Sequence, residues 1–159
     1  MSARVALAAA VVVLVAVYAV LSQRWVSADP GWYDALPKPA WQPPPWVFGV
    51  AWPLNFLALL VGGIAIAWTR PSGDALRFLA VLAVSVVLAL GWAHEFYVPH
   101  ELGRAAVALV VAAALTWALV LVAGSSLAWA GWVLVPYALW MTVATSLSVG
   151  YWRLVPAGG

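Results

Sequence analysis

Five apolar runs, at about 5–21, 47–68, 75–97, 102–123 and 127–151, take up most of this chain of 159 residues. Each is near the ~20 residues that an α-helix needs to cross the hydrocarbon of a bilayer. Hydrophobic residues make up 67% of the sequence and charged ones 8%. A water-soluble domain of this length has no interior large enough to hide that surface, so lipid has to be part of the solvent. Strict apolar–polar alternation is absent, which favours helices over a β-barrel as the way to satisfy backbone groups inside the membrane. The expected fold is an all-α integral membrane protein, one five-helix domain spanning 1–159. The first run, with Arg4 before it and small residues at 26–28, mimics a secretory signal. It is longer than a usual signal core and is expected to remain as the first crossing.

Several functions are excluded at this level. The chain has no cysteine, hence no disulfide, thiolate nucleophile or sulfur-ligated metal. A formal charge of +2, thinly scattered, points to no nucleic-acid partner. No nucleophile–base pair, phosphate loop or carboxylate dyad stands out. His94 and His100 are six residues apart across Pro99, a spacing that gives no helical ligand pair, and no metal site is expected.

Five crossings place the first connector, the third connector and the C-terminus on one membrane face. That face collects Asp29, Asp34, Glu95, Glu101, His94 and His100, together with Arg24, Lys38, Arg104 and Arg153. The other face holds Arg4, Arg70 and Arg77, so basic residues do not fix the orientation. A polar ligand group would be met on the first of these faces.

The first connector contains "WYDALPKPAWQPPPW" at 32–46. Pro37, Pro39, Pro43, Pro44 and Pro45 fix φ and push each preceding residue toward extended backbone, so this stretch is expected to be non-helical. Pro45 suits the first turn of the second crossing. A stiff aromatic connector loses little entropy on packing, which fits a lid over a bundle as well as an interfacial anchor. Helical spacing groups Trp52, Asn55, Phe56 and Leu59; Ala89, Trp92, Ala93 and Phe96; and Tyr137, Trp140, Ala144, Leu147 and Ser148. These faces converge near the lid, as either tight packing or cavity walls. Of the 12 tryptophans, Trp25, Trp68, Trp129, Trp132 and Trp152 flank apolar runs and are expected to anchor helix ends at the headgroups. Pro53 should kink the second crossing, and the amide of Asn55 requires a partner, most simply a neighbouring helix.

The stretch "WYDALPKPAWQPPPWVFGVAW" (32–52) resembles the tryptophan-rich signature of the TspO/MBR family, with support from "GWAHEFY" (91–97) and "VPYALWMTVATSLS" (135–148). The resemblance implies a five-helix bundle whose long first loop caps a pocket, a homodimer, and a place in the membrane, in a bacterium the cell membrane. It implies binding of a hydrophobic small molecule: a porphyrin-type ligand or haem, with no cofactor required, in stress or tetrapyrrole regulation. The alternatives are light-dependent porphyrin degradation, and binding or transport of a sterol, carotenoid or other lipid. Carried over by position, the ligand would meet Tyr33, Trp52, Phe56, Trp92, Phe96, Trp140, Ala144 and Leu147, with Trp41 and Pro44 in the lid. This chain departs from the family pattern where Ala89 and Ser148 replace asparagines, where Asn55 replaces an apolar residue, and at His94 and Glu95. His94 is therefore expected at the pocket rim, where its charged form would receive a ligand carboxylate in place of the amide missing at Ala89. The small residues Gly62 and Gly63, with the alanines of the first, third and fourth crossings, are candidates for a dimer seam.

Overall fold

In a computed structural model, which describes residues 2–155, the chain is helical nearly throughout. The helices are α1 (Ala3–Val26), α2 (Pro30–Ala35), α3 (Pro45–Thr69), α4 (Ser72–Tyr97), α5 (Leu102–Ser126) and α6 (Ala128–Leu154). All but α2 are long and apolar enough to cross a membrane. The protein is a multi-pass integral membrane protein. Each spanning helix runs longer than its apolar run. Ser2 caps α1 by accepting from the Val5 N–H at 3.4 Å. Only Leu127 separates α5 from α6.

The spanning helices close into a ring. Helix α1 packs on α3 and α4, α3 on α6, α6 on α5, and α5 on α4. In lipid no hydrophobic force drives helices together, so close approach depends on small residues and shape. A Cβ on Gly63 would lie 2.7 Å from Val11 and 2.8 Å from Phe78, so this glycine lets α3 press on α1 and α4. One on Gly131 would lie 2.7 Å from the Cα of Gly124, which ties the tight α5–α6 reversal to this glycine pair. Gly62 lies against Ala130 and Leu134 of α6. Gly62 and Gly63 thus pack within the subunit and do not form the expected dimer seam. Most alanines of α5 are likewise buried.

A buried hydroxyl group of residues threads the centre. Ser85 Oγ lies 3.3 Å from Thr116 Oγ1, and the Tyr137 hydroxyl donates to that of Tyr18 at 3.4 Å. Asn55 departs from expectation. It is buried, yet its amide nitrogen has no partner. Helix α3 stays one helix through Pro53.

The connector departs from expectation too. Residues 32–35 are helical, as part of α2. The helix starts where proline is welcome: Pro30 occupies its first turn and needs no N–H bond there, while the Asp29 carboxylate accepts from the Trp32 N–H at 3.0 Å. At its other end the Lys38 ammonium donates to the carbonyls of Asp34 at 3.0 Å and of Tyr33 and Leu36 at 3.4 Å. A cation on the last carbonyls offsets their exposed dipoles. The strap Pro39–Pro44 follows, a turn closed by the Gln42 N–H on the Pro39 carbonyl at 3.0 Å and then non-helical chain to Pro45, which opens α3 as anticipated.

Candidate functional site

Beneath α2 and the strap lies a cavity of about 830 Å³. Four spanning helices line it, and three of them present aromatic rings to it. On α3, Trp52 and Phe56 stack at 5.8 Å with a 28° interplanar angle. On α4, Trp92 and Phe96 lie 6.0 Å apart. On α6, Trp140 stands edge-on to Trp52 at 6.4 Å, with Ala144 and Leu147 beside it. Spacing of i and i+4 puts each pair on one helix face. Ala144 leaves space where a larger side chain would fill the chamber. From below, Tyr18 supports Trp52 and Phe56 with edge contacts at 6.2 and 5.2 Å.

The lid supplies Tyr33, Asp34, Lys38 and Gln42 to the roof. It is fastened to α6 by polar contacts. The Tyr151 hydroxyl donates to the Gln42 side-chain carbonyl oxygen and lies 3.2 Å from the Tyr33 hydroxyl, and the Gln42 amide donates to Tyr33 at 3.4 Å. On the outer side the Trp41 indole donates to Ser146 Oγ at 3.2 Å. Gly150 makes the fit possible, because a Cβ there would sit 2.8 Å from Pro39 and 3.0 Å from Trp41. Inside the chamber the Trp92 indole donates to Ser148 Oγ at 3.2 Å. The Trp140 indole N–H is buried without a partner in the protein. Between α1 and α3 the wall includes Val20, Gly49 and Pro53, all of them accessible.

The structure brings together Tyr33, Trp52, Phe56, Trp92, Phe96, Trp140, Ala144 and Leu147, the set carried over from the resemblance. Four other residues named from the sequence do not line the cavity. Trp41 and Pro44 belong to the lid but face away, Trp41 being 58% exposed. Ala89 is buried in the bundle core. His94 lies two residues past Trp92, about 200° around the helix at 100° per residue. It sits outside the chamber, against Glu95 Oε1 at 3.4 Å and the edge of Trp25 at 5.4 Å. The expected rim position of His94 is thus not where the fold puts it. Arg104 pairs with Glu95 at 3.3 Å, and Arg153 is exposed; neither lines the cavity. Lys38 is the cation among the lining residues.

Sequence reasoning missed the contribution of α1, where Ala19, Ser22 and Gln23 form a wall. That helix carries no aromatic stripe to mark it. It also missed Tyr97 and Tyr151, which sit at helix ends where tyrosine ordinarily serves as an interfacial anchor. Trp68, Trp129, Trp132 and Trp152 are exposed at helix ends, as a headgroup belt requires. A second, more open depression of about 1140 Å³ lies on the outer surface beside α5, among Trp32, His100, Arg104, Val107 and Trp152. No cluster of three or more metal-ligating side chains occurs among the described residues.

The TspO/MBR family model matches residues 6–153. The chain is 34% identical to protein CrtK of Rhodobacter capsulatus over 135 residues, covering 80% of this chain and 81% of that protein. It is 34% identical to the tryptophan-rich sensory protein of Cereibacter sphaeroides over 127 residues, 77% of this chain and 76% of the other. It is 30% identical to the human translocator protein over 131 residues, 77% of this chain and 73% of the other.

Proposed function

The chain belongs to the TspO/MBR family, and on that footing we propose that it is a membrane receptor for a flat hydrophobic ligand of the porphyrin type. The observation that carries this reading is the chamber itself. Its volume of about 830 Å³ lies within the range of small-molecule sites, and indole and phenyl rings from three helices face it. A planar conjugated macrocycle fits such walls through stacking and dispersion. Lys38 in the roof offers a charge to a carboxylate.

The test is a spectrum. Protein in nanodiscs titrated with protoporphyrin should shift the Soret band and saturate at one ligand per chamber. A Soret band that stays where empty nanodiscs put it rejects the reading. The scarcity of charge in the lining favours a second occupant, a carotenoid- or sterol-class lipid. A carotenoid progression in the spectrum of protein purified from its own membrane would support that reading instead.

We also propose a homodimer. Its seam would use lipid-facing small residues such as Ala9 and Ala10 of α1, since the glycine pair of α3 is committed inside the subunit. Mass measurement in nanodiscs across a wide protein-to-lipid range should find two copies together; monomer throughout would contradict it.

A further inference from the structure

The outer depression beside α5, about 1140 Å³, shares no lining residue with the chamber. It lies where the α4–α5 connector meets the C-terminal end of α6, the level at which the exposed Trp152 marks the headgroups. Its lining changes character with depth. Arg104, Val107, Ala108 and Val111 recur at i, i+3, i+4 and i+7, so they share one face of α5. That face descends about 10 Å from Arg104 to Val111. Val107 and Val111 are exposed, while Ala108 and, on α4, Leu88 are half-buried. The result is an apolar furrow on α4 and α5 that begins at charged residues.

The charged end carries both signs. Glu101 and Arg104 stand one helical turn apart at the start of α5, and both line the depression. The Glu101 side chain is exposed and, although this residue is the N-cap of α5, it accepts no capping hydrogen bond. Arg104 Nε lies 3.3 Å from Glu95 Oε2 without a hydrogen bond to it, and the guanidinium is 71% exposed. Each group can therefore still take a partner. With Glu95 beside the arginine and Asp29 4.0 Å from His100, the rim is not a positive patch. The rings of the lining also constrain the occupant. Trp152 lies against the first turn of α5, where a Cβ on Gly103 would sit 3.0 Å from its Nε1. His100 covers a face of the other indole, Trp32, with centroids 3.7 Å apart and planes 11° from parallel.

We propose that this depression is a site for a membrane phospholipid whose headgroup is zwitterionic and ends in a primary ammonium, the phosphatidylethanolamine class. The phosphate meets the Arg104 guanidinium, whose N–H groups suit phosphate oxygens. The ammonium, an ethyl spacer away, donates to the Glu101 carboxylate. One acyl chain follows the furrow past Val107, Ala108 and Val111. A headgroup of net negative charge would leave Glu101 facing an anion. A choline headgroup has no N–H to donate, and a quaternary ammonium is held instead by ring faces gathered around it, of which His100 already occupies one. The site stands apart from the chamber and does not rest on the receptor reading.

The test is a lipid titration of delipidated protein in detergent, with the first bound lipid counted by native mass spectrometry. The probes are phosphatidylethanolamine, phosphatidylcholine and phosphatidylglycerol with identical acyl chains. Phosphatidylethanolamine should bind more tightly than either of the others by roughly two- to five-fold, the scale of one exposed ion pair. Glu101→Gln should erase its lead over phosphatidylcholine. Arg104→Gln should weaken all three lipids by a similar factor, whereas Arg24→Gln, an exposed arginine of the same membrane face outside the depression, should change nothing. Ala108→Leu fills the furrow and should weaken all three while keeping their order. Equal affinities in the parent would leave only unspecific annular lipid and overturn the proposal. Tighter binding of phosphatidylglycerol, a lead that survives Glu101→Gln, or equal losses in Arg104→Gln and Arg24→Gln would overturn it as well.

Discussion

Ser148 stands where the family usually has asparagine, and it keeps one hydrogen-bonding role the chamber needs. Its hydroxyl accepts from the Trp92 indole at 3.2 Å and so fixes the angle of one wall. Ser148→Ala leaves that N–H unpartnered against apolar surface and should cost about 0.5–1.5 kcal/mol, measured by reversible unfolding in mixed detergent. Ser148→Asn should restore most of it; equal loss in both variants would mean that volume, not the hydrogen bond, matters there. Single residues were legible where helical phase decided their place. Trp52 with Phe56 and Trp92 with Phe96 follow from i, i+4 spacing. The same phase argument, carried two residues further, places His94 on the opposite side from Trp92, which proximity in sequence had obscured. His100 was the reverse case. Its stack on Trp32, 68 positions away, depends on a left-handed turn at φ = 60°, and no local pattern announces either. Asn55 has no partner for its amide nitrogen, and nothing in the structure explains it.

Among the elements, the spanning helices were plain from hydropathy, and most of their ends lie a few residues beyond the apolar runs. Helix α2 was hidden by the prolines that follow it. The Asp29–Pro30 pair is the signal that could have found it, an N-cap followed by a residue suited to the first turn. The lid that α2 begins depends on a bare backbone opposite. Gly150→Ala would push its Cβ to 2.8 Å from Pro39, and the ring cannot give way as a flexible chain would. The variant should therefore raise hydrogen exchange across 29–44 several-fold while leaving α4 and α5 protected, since the clash falls on Pro39 and Trp41 of the strap. Uniform exchange across all helices would instead mean that Gly150 supports the whole bundle. Lys38→Met tests the other end of α2. Without a cation on its last carbonyls, worth about 0.3–1 kcal/mol at such a terminus, the helix should fray from Tyr33 onward.

Across the whole molecule, five helices form a ring whose tight packing is concentrated away from the lid. The Gly124–Gly131 pair at the α5–α6 reversal and the Val11–Gly63–Phe78 contact draw the bundle together there. Toward the lid, large rings and Ala144 leave a chamber that α2 and the strap cover. Hydropathy revealed the ring's members but not their order, which rests on contacts among α1, α3 and α6 far apart in sequence. The central claim is that the aromatic chamber under the lid is where a porphyrin-type ligand binds. The most direct test is the affinity of protoporphyrin for the parent, Trp52→Ala and Trp68→Ala proteins, read by Soret titration in nanodiscs. Trp52 faces the chamber and Trp68 faces lipid at the far end of the same helix. Trp52→Ala should lose about 1–3 kcal/mol of binding, the scale of one large aromatic contact, and Trp68→Ala should lose almost none. Equal losses in the two variants, or an undiminished affinity in Trp52→Ala, would contradict the claim.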